Sequence, residues 1–205
     1  MVLNCEVRPL HEQLQLKIAD RADLAEVEAE SEQALAGRGD IGSFVLLYRQ
    51  HVKAVYGYLY SRLVNRQEAE DLTSATFERA WQSLPGYQST GSFKSWLFTI
   101  AHRTLADHLR QKKPHPVSLG ILADVLLDPA IGPEEAALVS EQLRAVLQIV
   151  AGLGAEQQEV VALRFIAGLP YAEIAHIMGK SEPAAKMMAY RALEEIKRRY
   201  NDVQE

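Results

Sequence analysis

Residues 168–193 read G-L-P-Y-A-E-I-A-H-I-M-G-K-S-E-P-A-A-K-M-M-A-Y-R-A-L and predict two amphipathic helices joined by a tight turn. Gly179 can adopt the positive φ that ends a helix, and Ser181 can accept from the free N–H groups that begin the next one. Pro183 is tolerated in that first turn. The apolar inner face of the first helix is expected to comprise Ala172, Ile174, Ala175 and Met178. This pattern indicates a helix-turn-helix, a motif that reads DNA.

The composition is that of a soluble globular chain with one or two domains. The chain has 205 residues, of which 48% are hydrophobic and 24% are charged. No apolar run approaches the ~20 residues that span a bilayer, and no signal-peptide pattern is present, so we expect a cytoplasmic protein without membrane insertion. The single cysteine, Cys5, excludes an internal disulfide and a Cys-based zinc site.

Helical periodicity continues along the whole chain, which predicts an all-α fold. Asn65 and Glu68 form a capping-box-like helix start. The composition of residues 85–92 indicates a loop, and the four prolines of residues 114–133 indicate a linker between two domains. The predicted helices are residues 10–36, broken at residues 37–40, and then 43–64, 65–84, 93–113, 134–151 and 156–166, followed by the two helices of the motif.

Charge is distributed unevenly along the chain. Residues 44–113 carry ten Lys and Arg against five Asp and Glu, whereas residues 1–43 carry four against nine, and the whole chain has a formal net charge of −5. A basic middle segment between acidic segments is typical of a protein that binds phosphate with one face.

One stripe of the predicted helix 93–113 is suited to nucleic acid. Trp96, Arg103 and Arg110 are seven residues apart and share a face, while Leu97, Ala101 and Leu105, flanked by Phe98 and Leu109, form an apolar face. Aromatic rings stack on unpaired bases and arginine neutralises phosphate. The alternative for Trp96, which we weigh equally, is a partly buried core side chain.

Two segments resemble a known family. A-E-D-L-T-S-A-T-F-E-R-A-W at residues 69–81 and G-S-F-K-S-W-L-F-T-I-A-H-R-T-L-A-D-H-L-R at residues 91–110 resemble conserved region 2 of bacterial sigma factors. With a short linker and a C-terminal helix-turn-helix, the layout is similar to the extracytoplasmic-function (group IV) sigma factors of the sigma-70 family. The resemblance, over about residues 24–200, implies an all-α protein with two helical domains joined by a flexible linker. The implied divisions are an acidic extension at residues 1–23, a region 2 domain at 24–113, a linker at 114–135 and a region 4 domain at 136–205.

The resemblance also implies which residues act in the region 2 domain. Those expected to dock on a coiled coil of the largest RNA polymerase subunit are Glu70, Asp71, Leu72, Thr73 and Phe77. The family commonly has Gln-Glu where this chain has Ser74 and Ala75. Those expected to capture, read and melt the promoter −10 element are Tyr87, Gln88, Ser89, Lys94, Trp96, Arg103, Arg110, Lys112 and Lys113.

In the region 4 domain, the second helix of the motif is the expected recognition helix for the −35 element. Its inward residues are predicted to be Ala185, Met188, Ala189, Ala192 and Ile196. The expected −35 contacts are Tyr171, Ser181, Glu182, Ala184, Lys186, Met187, Tyr190, Arg191 and Arg198. Met187 and Tyr190 are unusual for the family and favour either contact with thymine methyl groups or burial against a partner. A basic cluster at residues 197–199 holds phosphates or complements the helix C-terminus.

The implied partners are core RNA polymerase, through that coiled coil and the flap, promoter DNA and an anti-sigma factor. As an alternative form of inhibition, the acidic extension shields the basic domain in cis. An alternative function is a stand-alone helix-turn-helix regulator of duplex DNA, and a third is a pure protein-interaction protein. Enzymatic readings are disfavoured because Glu173 and His176 have only half of a di-iron pattern, so we expect no catalytic residues, metal or cofactor.

Overall fold

The computed structural model describes residues 32–63, 65–88, 91–111, 146 and 148–204. The predictions for the N-terminal extension, the linker, Ser89, Lys112 and Lys113 lie outside these ranges. The helices are α1 (Glu32–Arg38), α2 (Ile41–Leu63), α3 (Arg66–Ser83), α4 (Phe93–Gln111), α5 (Ala155–Val161), α6 (Tyr171–Met178) and α7 (Glu182–Gln204). A 3₁₀ turn (Leu84–Gly86) follows α3, and a π-helical turn (Ala162–Ile166) continues α5. The described part contains helices and no strands, which confirms the all-α prediction.

Polar side chains fix the starts of the three long N-terminal helices. Asp40 accepts hydrogen bonds from the N–H and the hydroxyl of Ser43, at 3.0 and 2.7 Å, and so caps α2. Asn65 accepts from the N–H of Glu68 at 3.1 Å and caps α3, as its spacing predicted. Ser92 accepts from the N–H of Ser95 at 3.0 Å at the start of α4. Each cap satisfies a backbone donor that has no partner within its helix.

The core of the N-terminal half is a cluster of aromatic side chains between α2 and α3. Phe77 is buried, and its ring centroid lies 4.7 Å from that of Tyr48 and 6.3 Å from that of Phe44. Trp81 packs against Phe44 at 5.0 Å. Such aromatic contacts add to the free energy gained by burial. Helix α4 covers this layer with the buried apolar side chains Leu97, Phe98, Ala101 and Leu105.

The C-terminal half contains the predicted helix-turn-helix. Gly179 has φ +63° and ends α6, and the Ser181 hydroxyl accepts from the N–H of Ala184 at 3.4 Å in the first turn of α7. The inner-face prediction was wrong at Ala172, which is exposed. Ile177, three positions after Ile174, is buried instead. The apolar stripe of α6 therefore consists of Ile174, Ala175 and Ile177, and Ala172 lies outside it.

The two halves of the chain pack against each other. A single cluster of buried apolar residues extends from Leu35 to Ala189 and includes Leu163, Ala167 and Leu169 of the segment between α5 and α6. Gly57 of α2 permits a close approach, because a Cβ atom there would lie 3.2 Å from Cγ2 of Ile166. Within the described ranges, no helix has the length and apolar character that crossing a bilayer requires.

Candidate nucleic-acid interface

An aromatic cluster lies where the loop of residues 85–92 meets helix α4. The ring centroid of Trp96 is 5.0 Å from that of Tyr87 and 5.4 Å from that of Phe93. Phe93 is fully buried, whereas Tyr87 and Trp96 are half-buried. One side of Trp96 packs on the core, as the second alternative expected, and the other side lines an open cavity; its role at nucleic acid stays a prediction.

Cationic and polar side chains surround this aromatic cluster. Arg103 is exposed and lines the same cavity as Trp96 and the exposed Gln88. Arg110 is also exposed, and its guanidinium lies 2.6 Å from the carboxylate of Asp107. Lys94 is half-buried, with its amino group directed toward Gly168 of the C-terminal half. We call Tyr87, Gln88, Trp96 and Arg103 the aromatic–basic surface.

The five residues expected on the polymerase-docking face lie on two different faces of α3. Glu70 and Asp71 are exposed, and Glu70 forms an ion pair with Arg66 at 2.8 Å. Leu72, Thr73 and Phe77 are buried, and the Thr73 hydroxyl donates to the carbonyl of Ala69 at 2.6 Å. The side chains of these three residues face the core because they belong to the apolar stripe of α3. Of these five residues, only Glu70 and Asp71 can therefore contact a partner directly.

Helix α7 presents the side chains expected to reach DNA. Those that are exposed are Ser181, Glu182, Ala184, Lys186, Met187, Tyr190, Arg191 and Arg198. Met187 and Tyr190 are large side chains that remain 52% and 60% exposed. Tyr171, in the first turn of α6, is half-buried beneath the guanidinium of Arg164, 4.9 Å from its ring centroid. The inward prediction for Ala185, Ala189 and Ala192 is confirmed, since all three are fully buried.

A buried polar cluster joins the two halves. The carboxylate of Glu159 in α5 accepts from the hydroxyl of Tyr58 at 2.6 Å and contacts Nδ1 of His102 at 2.8 Å. Its second oxygen lies 3.2 Å from Nε of Arg62, whose guanidinium also donates to the side chain of Gln158. The side chains of Arg62 and Glu159 are only 10% and 8% exposed. We call Tyr58, Arg62, His102 and Glu159 the inter-domain cluster.

The inter-domain cluster keeps Glu159 ionised. Burial alone raises the pKa of a carboxyl, but the hydrogen bond with His102, the charge of Arg62 and the hydrogen bond from Tyr58 outweigh it. The pKa of Glu159 is therefore below its ordinary value. Burial also raises the pKa of Tyr58 well above that of an exposed tyrosine, so its hydroxyl stays a proton donor.

Sequence reasoning missed the inter-domain cluster because its members are far apart in the chain. Tyr58 and Glu159 are separated by 101 positions, and His102 and Glu159 by 57. The only local signal was a glutamate directly before Val160 and Val161 in a predicted helix, which does not identify its partners.

The helix-turn-helix also contacts the start of α4, beside the aromatic–basic surface. The hydroxyl of Ser92, the residue that caps α4, donates to the carboxylate of Glu173 in α6 at 2.8 Å. Between α6 and the aromatic–basic surface is a cavity of about 550 Å³. Its walls are the aromatic–basic surface on one side and Ala172, Glu173 and His176 of α6 on the other.

Two segments of the chain match models of one protein family. Residues 47–115 match sigma-70 region 2, and residues 143–196 match sigma-70 region 4. The first segment contains the aromatic–basic surface and α3, and the second contains Glu159 and the helix-turn-helix. The family matches therefore cover both halves of the candidate interface.

Curated relatives carry the same assignment in their names. The chain is 39% identical over 171 residues to the ECF RNA polymerase sigma factor BldN of Streptomyces coelicolor, a match that covers 82% of this chain and 63% of BldN. It is 32% identical over 136 residues to the ECF RNA polymerase sigma factor ShbA of Streptomyces griseus, covering 64% of this chain and 71% of ShbA. It is 29% identical to the ECF RNA polymerase sigma-E factor of Haemophilus influenzae, covering 81% of this chain and 93% of that protein.

Solved structures show the same fold. The sigma factor RpoE of Bartonella quintana, solved in complex with the anti-sigma factor NepR, matches with a TM-score of 0.64 and 20% identity, over 77% of this chain and 96% of that chain. CnrH, solved in complex with the cytosolic domain of CnrY, matches with a TM-score of 0.60 and 22% identity, over 82% of this chain and 96% of that chain.

Proposed function

The chain belongs to the extracytoplasmic-function sigma factors of the sigma-70 family, and from this membership we propose how its two halves divide the work of promoter-specific initiation. It binds core RNA polymerase and directs it to promoters with −10 and −35 elements. It has no catalytic step of its own and acts in the cytoplasm, where the polymerase is. The proposed domains are residues 24–113 for region 2 and 136–205 for region 4.

Region 2 recognises and melts the −10 element. The observation that carries this proposal is the aromatic–basic surface, where the half-buried Trp96 and the exposed Arg103 line one cavity. A base removed from the duplex can stack on an aromatic ring, while arginine binds the adjacent phosphate. Binding the unpaired strand more tightly than the duplex shifts the melting equilibrium without an external energy source. Outside the cavity, Arg110 and Lys94 add positive charge, and we extend the same role to Ser89, Lys112 and Lys113 of the adjoining segments.

Region 4 places α7 in the major groove of the −35 element. Lys186 and Arg191 are exposed on this helix and supply contacts to phosphate or guanine. Met187 and Tyr190 supply apolar contacts. Each lysine or arginine that neutralises a phosphate releases counterions and so strengthens binding in a salt-dependent way. The C-terminal half therefore contributes much of the affinity for duplex DNA.

Polymerase binding uses the exposed acidic edge of α3. Glu70 and Asp71 face solvent, and their charges suit a basic partner surface on the largest subunit. Leu72, Thr73 and Phe77 hold the helix in place from its buried side. We further propose that an anti-sigma protein controls the chain, as RpoE and CnrH were solved with NepR and CnrY bound.

The test is transcription by purified core polymerase on genomic DNA with mapped transcript starts. Addition of the chain is expected to produce new starts that share a two-part upstream element. Arg103→Ala and the double variant Lys186→Ala/Arg191→Ala are expected to lose these starts, whereas Lys53→Ala, at an exposed lysine of α2, keeps them. Absence of new starts, together with specific duplex binding by the chain alone, would instead identify a conventional regulator.

A further inference from the structure

Two arginines from different helices share one carboxylate toward the end of α4. Nη1 of Arg79, in α3, lies 3.4 Å from Oδ2 of Asp107, and Nη2 of Arg110 lies 2.6 Å from Oδ1 of the same carboxylate. Nη1 of Arg79 also donates to the hydroxyl of Thr104 at 3.0 Å. Each guanidinium therefore has its own carboxylate oxygen, and Asp107 lies between the two.

Both arginines keep hydrogen-bond donors for a ligand. Arg79 uses only Nη1 in these contacts, and its Nη2 and Nε have no partner within the described residues. Arg110 uses Nη2 and Nε, the latter toward the carbonyl of Ala106 at 3.3 Å, which leaves Nη1. The two arginine side chains are 49% and 76% exposed. Because two guanidinium groups face one carboxylate, the group has a net positive charge and suits phosphate.

The two arginines lie in line with the aromatic–basic surface. Arg103 precedes Arg110 by seven positions, so both lie on one stripe of α4, about 10 Å apart along its axis. Asp107 brings Arg79 of α3 to the same end of this stripe. Arg79 follows Glu70 by nine positions, about two and a half turns, and so lies on the opposite side of α3 from that polymerase-docking carboxylate. The position of Arg79 therefore favours DNA as its partner over polymerase.

We propose that Asp107 is a positioning residue that holds Arg79 and Arg110 ready for two neighbouring phosphates of the promoter strand. The proposal rests on the proposed function for the identity of the DNA, and it adds a residue of α3 to the DNA-binding residues. An arginine that is already held in place loses less side-chain entropy when it binds. The carboxylate of Asp107 thus strengthens DNA binding although its own charge repels phosphate.

The first experiment measures binding of a fluorescein-labelled, single-stranded 20-nucleotide DNA to the full chain by fluorescence anisotropy, over a series of salt concentrations. It needs no polymerase, because phosphate binding by exposed arginines does not depend on sequence. Arg79→Ala and Arg110→Ala are each expected to reduce the slope of log Kd against log salt concentration by about 0.7, the value for one phosphate contact on a single strand. Lys53→Ala, which removes an exposed lysine of α2, is the control and should keep the wild-type slope.

Asp107→Ala separates positioning from net charge. If charge alone matters, removing a carboxylate beside a phosphate-binding surface strengthens binding. Positioning predicts the reverse, binding that is roughly two- to tenfold weaker for each arginine released, with the salt slope retained because both cations remain. In the Arg79→Ala/Arg110→Ala background, the same substitution should no longer weaken binding. Glu78→Gln, which removes an exposed carboxylate next to Arg79, is the control and should bind at least as tightly as the wild type.

Urea unfolding verifies that each variant is folded, and Asp107→Asn, which keeps the shape of the side chain, replaces Asp107→Ala if the alanine variant unfolds. A wild-type salt slope in Arg79→Ala would overturn the assignment of Arg79 to DNA. Tighter binding by the Asp107 variant would overturn the positioning role.

The second experiment is transcription by core polymerase with the same variants. Arg79→Ala and Asp107→Ala are expected to reduce transcript yield at the starts mapped for the wild type, and Lys53→Ala and Glu78→Gln are expected to preserve it. The expected changes in strand binding, with no polymerase-directed starts from any form of the chain, would support the arginine pair and refute the proposed function. The expected starts, with strand binding and transcript yield unaffected by Arg79→Ala, would support the proposed function and overturn the arginine pair.

Discussion

Asp40 shows how one side chain sets the start of a long helix. Its carboxylate accepts from the N–H and the hydroxyl of Ser43, and its own carbonyl accepts from the N–H of Phe44 at 3.1 Å. The side-chain hydrogen bond from Ser43 is the main reason that the pKa of Asp40 is below its ordinary value. Gly39, with φ +66°, turns the chain just before this cap. The break between α1 and α2 is therefore encoded by two adjacent residues.

We expect Asp40→Ala to destabilise the chain by about 1 kcal/mol at pH 7, the usual effect of losing such a cap. Because folding lowers the pKa of Asp40, its contribution is fully present above the ordinary value of 3.8 and is lost as the pH falls through the lower folded value. Urea unfolding of both proteins at pH 7 and at acid pH measures the difference. Asp40→Asn is the control, since asparagine also caps. A difference that persists unchanged in acid would contradict this account.

At the scale of the element, helix α3 has a buried face and an exposed acidic face. Phe77, Thr73 and Leu72 are buried on one side, while Glu70 and Asp71 are exposed on the other. The motif that resembles the family thus mixes residues that hold the helix with residues that a partner can touch. Substitutions on the buried face should reduce activity by destabilising the fold, whereas substitutions on the exposed face should weaken binding of a partner.

The double variant Glu70→Gln/Asp71→Asn is expected to bind core polymerase several-fold more weakly with little change in unfolding free energy. Exposed ion pairs such as Glu70–Arg66 contribute little to stability, because solvent screens both charges. Phe77→Ala, in contrast, is expected to cost about 3–5 kcal/mol of stability. Fluorescence titration with core polymerase and urea unfolding measure the two effects. Glu78→Gln, also exposed on α3, is the control, and equal polymerase affinity in the double variant and wild type would remove these carboxylates from the docking site.

Helix α7 carries an apolar pair in the middle of its exposed face. Met187 and Tyr190, 52% and 60% exposed, are three positions apart and so lie side by side. Contact with thymine methyl groups would use this pair in the major groove, where only thymine presents a methyl. Replacing thymine by deoxyuridine in the mapped −35 element removes that methyl and nothing else.

We expect the wild type to bind the deoxyuridine duplex more weakly than the thymine duplex. The double variant Met187→Ala/Tyr190→Ala is expected to bind both duplexes with equal affinity, because it has already lost the contact with the methyl group. Electrophoretic mobility shift of the polymerase complex on both duplexes measures the coupling. Glu194→Gln, exposed later on α7, is the control and should respond as the wild type does. An equal penalty for deoxyuridine in the double variant would assign Met187 and Tyr190 to a protein partner instead.

The helices were predictable because their ends are encoded locally. The capping signals at Asn65, Gly179 and Ser181 were legible in the sequence and lie where the spacing placed them. The π-helical turn at Ala162–Ile166 and the burial of Ile177 in place of Ala172 were not predicted. Both depend on contacts with elements distant in sequence, as do the inter-domain cluster and the exposure of Leu109, which had been placed beside an apolar face. Local periodicity predicts which face of one helix is apolar, but it does not predict which other element packs against that face.

At the scale of the whole molecule, the two family segments share one core. The buried apolar cluster runs from helices α1–α4 into α5, α6 and α7 without interruption. Arg62, Glu159 and Tyr58 close the polar side of the same interface. Two domains that share buried surface of this kind are expected to stabilise each other, in contrast to domains connected only by a linker.

We therefore expect the free chain to unfold in one cooperative calorimetric transition, with equal calorimetric and van't Hoff enthalpies. Glu159→Gln is expected to broaden this transition or divide it into two, because region 4 would then unfold without region 2. Differential scanning calorimetry measures both, and Glu156→Gln should retain the single transition. Two transitions in the wild type would mean that the shared core contributes little coupling free energy.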